Sequence, residues 1–170
     1  MTAGDAEHFA AVQRASYASA RGGLRSSWPE RQALDAAGLE RLLDERRYAV
    51  LATGRPDGRP HAAPVAFNVA DAAFWVATVA GLRLRNVRAV PWASLVVMVG
   101  QRDEDEPGDD PPHRALTAEG PVQIHEGDAF AAAFEPLRDA WIRRHGGEPT
   151  WAAALLELRP ERIFSHDAGR

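Results

Sequence analysis

The sequence predicts a mainly β protein: a small antiparallel β-barrel with flanking helices. Short apolar runs recur from residue 48 to the C-terminus, each long enough for one strand. Turn signals separate them, and Asp57-Gly58 is the strongest, because glycine accepts the positive φ that a two-residue hairpin needs. Helical spacing is confined to the first 46 residues and to a few short segments between or after strands. At 170 residues and 45% hydrophobic content the chain fits a single domain with its own core.

The elements follow in order. An Ala-rich stretch over about residues 5–20 has helical spacing, and RGGLRSSWPE breaks it into a loop. In DAAGLERLLDERR, Leu39, Leu42 and Leu43 repeat at i, i+3, i+4, which predicts an amphipathic helix with a charged outer face. Residues 1–46 thus form a helical extension. Strands are predicted at 48–53, 59–69 and 73–78, with turns at GRPDG and at Asn68 to Asp71, giving an antiparallel meander. Pro60 and Pro64 cannot donate to a ladder, so the second strand should be an edge, a bulge or a place where a ligand replaces a neighbour. A short helix is expected over 82–90 and a strand over 93–100. QRDEDEPGDDPP (101–112) reads as an acidic, mobile loop. Strand 113–125, a helix capped near Asp128, and one last strand in AALLELRPERIF complete the chain. No internal repeat is visible.

Composition excludes several functions. A net charge of -4 argues against a nucleic-acid partner, which usually meets a basic field spread over a face. All 20 basic residues are Arg, a sign of GC-rich coding. With no cysteine there is no disulfide framework, thiolate ligand or cysteine nucleophile. The N-terminus lacks a secretory pattern and no run reaches the ~20 apolar residues of a membrane span. A cytoplasmic protein is the expectation. His61, His113, His125, His145 and His166 match no metal-binding spacing. Ser165-His166-Asp167 is not a triad on adjacency alone, since chain neighbours point apart.

GLRLRNVRAVP (81–91) is locally unfavourable as a helix start. Arg83 and Arg85 fall in the first turn, where the helix dipole disfavours cations by a few tenths to about 1 kcal/mol each. No Ser, Thr, Asp or Asn stands before Leu82 to cap it. A bound anion would reverse both effects, and a phosphate on the helix N-terminus is the simplest one. At 100° per residue Arg83 shares a face with Asn86, while Arg85 and Arg88 share another, so the three arginines cannot grip one phosphate. Arg83 with Asn86 is then the phosphate pair, with Arg85 or Arg88 reaching a second anion or an acidic neighbour. The alternative is a surface helix paired with acids elsewhere.

Four blocks, YAVLATGRPDGRPHAAPVAF, RLRNVRAVPWASLVV, RALTAEGPVQI and LLELRPERIF, resemble the pyridoxamine 5'-phosphate oxidase-like split barrels, more narrowly their flavin- and deazaflavin-dependent oxidoreductases. The resemblance spans about residues 40–165. It implies a six-stranded split barrel of the FMN-binding type, a homodimer, and a cofactor in a groove between subunits. It places Arg83 at the phosphate-binding Lys/Arg position and Asn86 at that of an Asn or Gln. Pro64, Val65 and Ala66 match the strand along the isoalloxazine ring, Thr78 the strand end leading into the phosphate site, and Arg162 the C-terminal strand near ring or substrate. His61, just before the ring contacts, is a candidate to meet cofactor or substrate, and one of Trp75, Trp92, Trp141 and Trp151 could stack on the ring, the rest being core or interface residues. Gly81 and Leu82 stand where many members place a second cation or hydroxyl, and FSHDAGR lacks the substrate-binding Arg and His of the true oxidases.

Three readings follow: an FMN-dependent oxidoreductase acting on a small organic substrate; a coenzyme F420-dependent reductase on the same scaffold; and a non-catalytic module binding flavin or haem. No catalytic residue is assigned, because in such enzymes the cofactor carries the chemistry.

Overall fold

The computed structural model describes residues 1–100 and 113–169, so the expectation for the acidic loop 101–112 lies outside the described residues. The class is mixed α/β rather than mainly β, at 39% helix and 34% strand: a curled antiparallel half-barrel sheet with flanking helices. The N-terminal helices are longer than a decoration. RGGLRSS, expected to be a loop, forms a short helix despite its two glycines.

The N-terminal helices are α1 (Ala3–Ser19), α2 (Gly22–Ser27) and α3 (Ala36–Glu45). Strands follow as β1 (Tyr48–Gly54), β2 (Pro60–Ala66), β3 (Asn68–Ala70) and β4 (Ala73–Thr78), then α4 (Leu82–Ala89), β5 (Trp92–Val99) and β6 (Arg114–His125). The chain ends with α5 (Asp128–Phe134), α6 (Arg138–His145), β7 (Ala154–Leu158) and β8 (Arg162–Asp167). The helix expected from Asp128 is broken at Glu135–Leu137, where Pro136 removes a backbone donor and α5 gives way to a 3-10 turn.

The sheet has eight strands in the order β2-β1-β5-β6-β7-β4-β3, with β8 also on β6. They come from six continuous runs, because two of the expected strands change partners midway. The run expected over 59–69 pairs with β1 up to Ala66, passes Phe67, and then pairs with β4 as β3. The meander is therefore split, and the turn expected over Asn68 to Asp71 sits at its end, on Asp71 and Ala72, both at positive φ (51° and 54°), while Asn68 to Ala70 form β3. The last run breaks at 159–161, with β7 on β4 and the end of β6, and β8 on the start of β6. Gly120 allows that break: a Cβ there would lie 2.1 Å from the Arg159 carbonyl oxygen.

β2 is an edge strand, as its prolines predict. The Phe67 N–H donates to the Arg47 carbonyl, which sets the alternation: Val65, Ala63 and His61 bond to β1, while positions 60, 62, 64 and 66 face away from it. Both prolines thus occupy positions where the ladder asks for no donor. The two ends of the sheet path, β2 and β3, are joined through Phe67, and among the described residues no ladder pairs β2 with β4, which leaves a seam between them.

Inside the barrel, Leu51, Phe67, Phe74, Leu95, Val97 and Leu116 are buried with Leu39, Leu42 and Leu43 of α3 packed on them. Asp35 caps α3 by accepting from the Gly38 N–H at 2.8 Å. Phe9 of α1 stacks on Phe74 with centroids 5.0 Å apart. Along the free side of β8, the Ile163 N–H donates to Ser16 Oγ at 3.0 Å and Tyr17 donates to the Ser165 carbonyl at 2.9 Å. Ser165 Oγ accepts from the Leu34 N–H and donates to Gln13 Oε1, so it fastens the helical layer rather than serving a triad. A second core lies on the other face of β4 and β7, where Trp75, Phe134 and Trp141 pack beneath α5 and α6.

Candidate functional site

The site is built at the seam. β4 delivers Thr78 to its end, and the chain turns through Gly81, which caps α4 with no side-chain hydrogen bond. The first turn of α4 therefore presents open N–H groups and positive partial charge. Arg83 lies across the seam: Nη1 donates to Thr78 Oγ1 at 3.1 Å and Nη2 to the Pro64 carbonyl at 3.4 Å. Its Nε is buried with no hydrogen-bond partner. Burial lowers its pKa, yet a guanidinium stays charged throughout the ordinary pH range. No carboxylate neutralises Arg83 among the described residues.

Arg83 opens onto a groove of about 470 Å³ walled by Pro64, Val65 and Ala66 and, from distant parts of the chain, by Tyr48, His145 and Trp151. Gly146, at φ 84°, ends α6 and turns the chain toward Trp151, which is 57% exposed. His145 Nε2 lies 3.1 Å from the Phe67 carbonyl and its ring 4.6 Å from that of Trp141. Burial, with the nearby charges of Arg144 and Arg47, holds its pKa below the usual value against the opposing bond to Phe67. The neutral ring makes that bond only with the proton on Nε2, which leaves Nδ1 as an acceptor.

The other expected residues lie apart from this groove. Asn86 turns inward, 1% exposed, and donates to Thr53 Oγ1 at 3.0 Å, tying α4 to β1 instead of lying beside Arg83 at the surface. Arg85 is exposed and lines a separate cavity of about 340 Å³ with Arg55. Arg88 reaches an acid: its Nη2 donates to both oxygens of Glu126, at 2.6 and 2.8 Å. His61 lies opposite Thr53 on the β2 face alternate to that of Pro64, outside the groove lining. Arg162 sits 3.6 Å from Glu119 and over the Phe164 ring. Among the tryptophans, Trp75 and Trp141 are core, and only Trp151 is both exposed and in the groove wall. Among the described residues no group of three or more His, Asp or Glu is placed to hold a metal ion. No helix is long and apolar enough to cross a membrane, among the described residues.

Trp151 is one of the four tryptophans that sequence offered for the ring, whereas Tyr48 and His145 carry no sequence signal for this wall. The signal that would have found them is tertiary, because strand β1 and the loop after α6 meet only in the fold.

Residues 37–167 match the family model described as pyridoxamine 5'-phosphate oxidase. Among solved structures, the fold is similar to a conserved hypothetical protein from Mycobacterium tuberculosis, at 21% identity and TM-score 0.65, covering 83% of this chain and 89% of that one. It is also similar to a FAD-binding protein from Mesorhizobium loti, at 20% identity and TM-score 0.60, covering 80% of this chain and 95% of that one. The haem storage protein HutZ from Vibrio cholerae is similar at 21% identity and TM-score 0.54, covering 76% of this chain and 92% of that one. No curated protein matches the sequence.

Proposed function

The chain belongs to the pyridoxamine 5'-phosphate oxidase family of split barrels, and on that premise we propose that it is an FMN-dependent oxidoreductase acting on a small organic substrate. Arg83 carries the reading. It is a half-buried guanidinium with an orphaned Nε, no carboxylate partner among the described residues, and the open N–H groups of α4 beside it. That donor set fits the phosphate of a mononucleotide.

In this reading the phosphate rests on Arg83 and the first turn of α4, next to Thr78. The outward edge of β2 at Pro64, Val65 and Ala66 runs along the ring, and Trp151 and Tyr48 wall the substrate side. When bound, the flavin supplies the hydride chemistry. His145 keeps its proton on Nε2 for Phe67 and offers Nδ1 as an acceptor.

The reading includes a homodimer. The outer face of β1 and β5 exposes Tyr48 (67%), Val50 (40%), Trp92 (40%) and Met98 (58%), an apolar surface of the kind that self-association covers. Pro64 and Ala66 lie opposite Val50 and Tyr48 on that same face, so a second copy seated there would close the groove.

A second reading, coenzyme F420, is favoured by the cavity that Arg55 and Arg85 line on the other side of α4's start. Its Arg55 Nε is also buried without a partner. A cofactor with carboxylates beyond its phosphate would use both cavities.

The test is parallel titration of FMN, F420 and haem into native protein and Arg83→Ala, followed by turnover with the reduced cofactor. FMN binding that weakens in the variant, with turnover, supports the main reading. F420 binding preferred over FMN supports the second. Haem binding alone, or equal flavin affinity in both proteins, sinks the proposal.

A further inference from the structure

We propose a second anion site, for a phosphate-type oxyanion, in the cleft between the end of α3, the start of β3 and the last turn of α6. The cleft is a cavity of about 330 Å³ whose wall includes Arg47, Asn68, Arg143 and Arg144, together with Asp44 and Met1. It is separate from the Arg83 groove.

Three observations carry the inference. First, the cations are uncompensated: Arg47 and Arg143 are exposed, and neither forms an ion pair among the described residues. Second, Arg144 is a fixed charge. Its Nη2 donates to the Leu43 and Arg46 carbonyls at the end of α3, and its guanidinium lies 5.0 Å from the Phe67 ring. It thereby answers the negative end of α3, and Arg47 and Arg143 remain free to meet a ligand. Third, Asn68 is only 5% exposed, and its Nδ2 is buried with no hydrogen-bond partner, as is Arg144 Nε. A buried amide donor left unpaired costs about 1–3 kcal/mol unless something accepts from it.

The acids nearby are engaged. Asp44, the carboxylate of the wall, takes the Met1 amine at 3.2 Å. Glu45 pairs with Arg114 at 2.9 Å and Asp71 with Arg159 at 2.8 Å. Asp5 accepts from the Ala72 N–H and from Thr2. Burial lowers the pKa of Arg144, with Asp44 pulling it up and Arg47 adding a smaller push downward. In a chain of net charge -4 this concentration of positive charge runs against the overall field. Guanidinium forks and an amide donor, with the one carboxylate occupied, suit a tetrahedral phosphate-type oxyanion. Such an anion is either free orthophosphate or the phosphoryl group of a monoester.

The test is titration of ¹⁵N-labelled protein with orthophosphate at constant ionic strength, and separately with glycerol phosphate, reading the Asn68 side-chain amide and arginine Nε–H resonances. Saturable shifts at Asn68 and Arg143 are expected. Affinity should fall at least tenfold in Arg47→Ala/Arg143→Ala and stay unchanged in Arg83→Ala. Both truncated side chains are exposed, and matched thermal midpoints check that the variant is folded. Tighter binding of glycerol phosphate marks a monoester site and tighter orthophosphate a free-ion site, and both support the proposal. It is overturned if shifts are confined to the start of α4, if sodium chloride reproduces them, or if the double variant binds as tightly as the native protein.

Discussion

Replacing Gly120 by alanine tests the geometry that lets one run of chain serve as both β7 and β8. The added Cβ would sit 2.1 Å from the Arg159 carbonyl oxygen and 3.0 Å from both the Arg159 carbonyl carbon and the Glu161 nitrogen. These are backbone atoms, so no side chain can rotate aside. Relief requires moving the 159–161 segment, which is held by Arg159 N–H to the Pro121 carbonyl at 3.2 Å and Glu161 N–H to the Glu119 carbonyl at 2.8 Å. Overpacking typically costs about 1–3 kcal/mol, and each weakened bond adds roughly 1 kcal/mol. Reduced freedom of the unfolded chain returns about 0.4–1 kcal/mol. A net loss of about 3 kcal/mol lowers the midpoint by roughly 6–12 °C in a domain of this size. Thermal unfolding followed by far-UV circular dichroism measures it, with Gly22→Ala as control, since nothing lies within 4 Å of a Cβ at Gly22. A Gly120→Ala midpoint within about 2 °C of the native one would refute the close approach.

Asn86→Ala removes the buried bond to Thr53 and should cost about 1–3 kcal/mol, measured by urea unfolding; an unchanged midpoint would mean that the bond does not hold α4 to β1. Ala72→Gly relieves a left-handed alanine and should raise stability by up to about 1 kcal/mol in the same assay, whereas a loss would show the turn is unstrained. His145 has a folded pKa below its unfolded value, so its neutral form favours the native state. Its contribution is complete above the unfolded pKa of about 6.5 and declines as pH falls from there toward the lower folded pKa. His145→Gln should flatten that part of the stability-versus-pH curve, and a curve parallel to the native one would remove His145 as its source.

Much of the strand pattern was legible because apolar runs bounded by turn residues mark strands wherever a strand keeps one partner. It was not legible where a strand changes partner. Phe67 carries no turn signal, because the switch from β1 to β4 is dictated by closure of the sheet and not by local preference. Likewise AALLELRPERIF reads as one strand, and its break at 159–161 shows only in the structure, where the Arg159 carbonyl closes on Gly120. The turn expected over Asn68 to Asp71 falls at Asp71 and Ala72, because an alanine in left-handed backbone has no sequence signature. At the site, the uncapped start of α4 and the edge character of β2 followed from Gly81 and the two prolines. The direction of Asn86 did not, because helical angle says which residues share a face but not that Thr53 lies under it.

The seam at Phe67 makes the barrel a ring fastened by one covalent link where a ladder would otherwise run. Between Pro64 and Thr78 the described contacts are side-chain bonds of a single arginine, at 3.4 and 3.1 Å. A phosphate received by Arg83, as proposed above, would draw on that clasp and on no strand ladder. Rearranging that clasp therefore costs no strand pairing among the described residues.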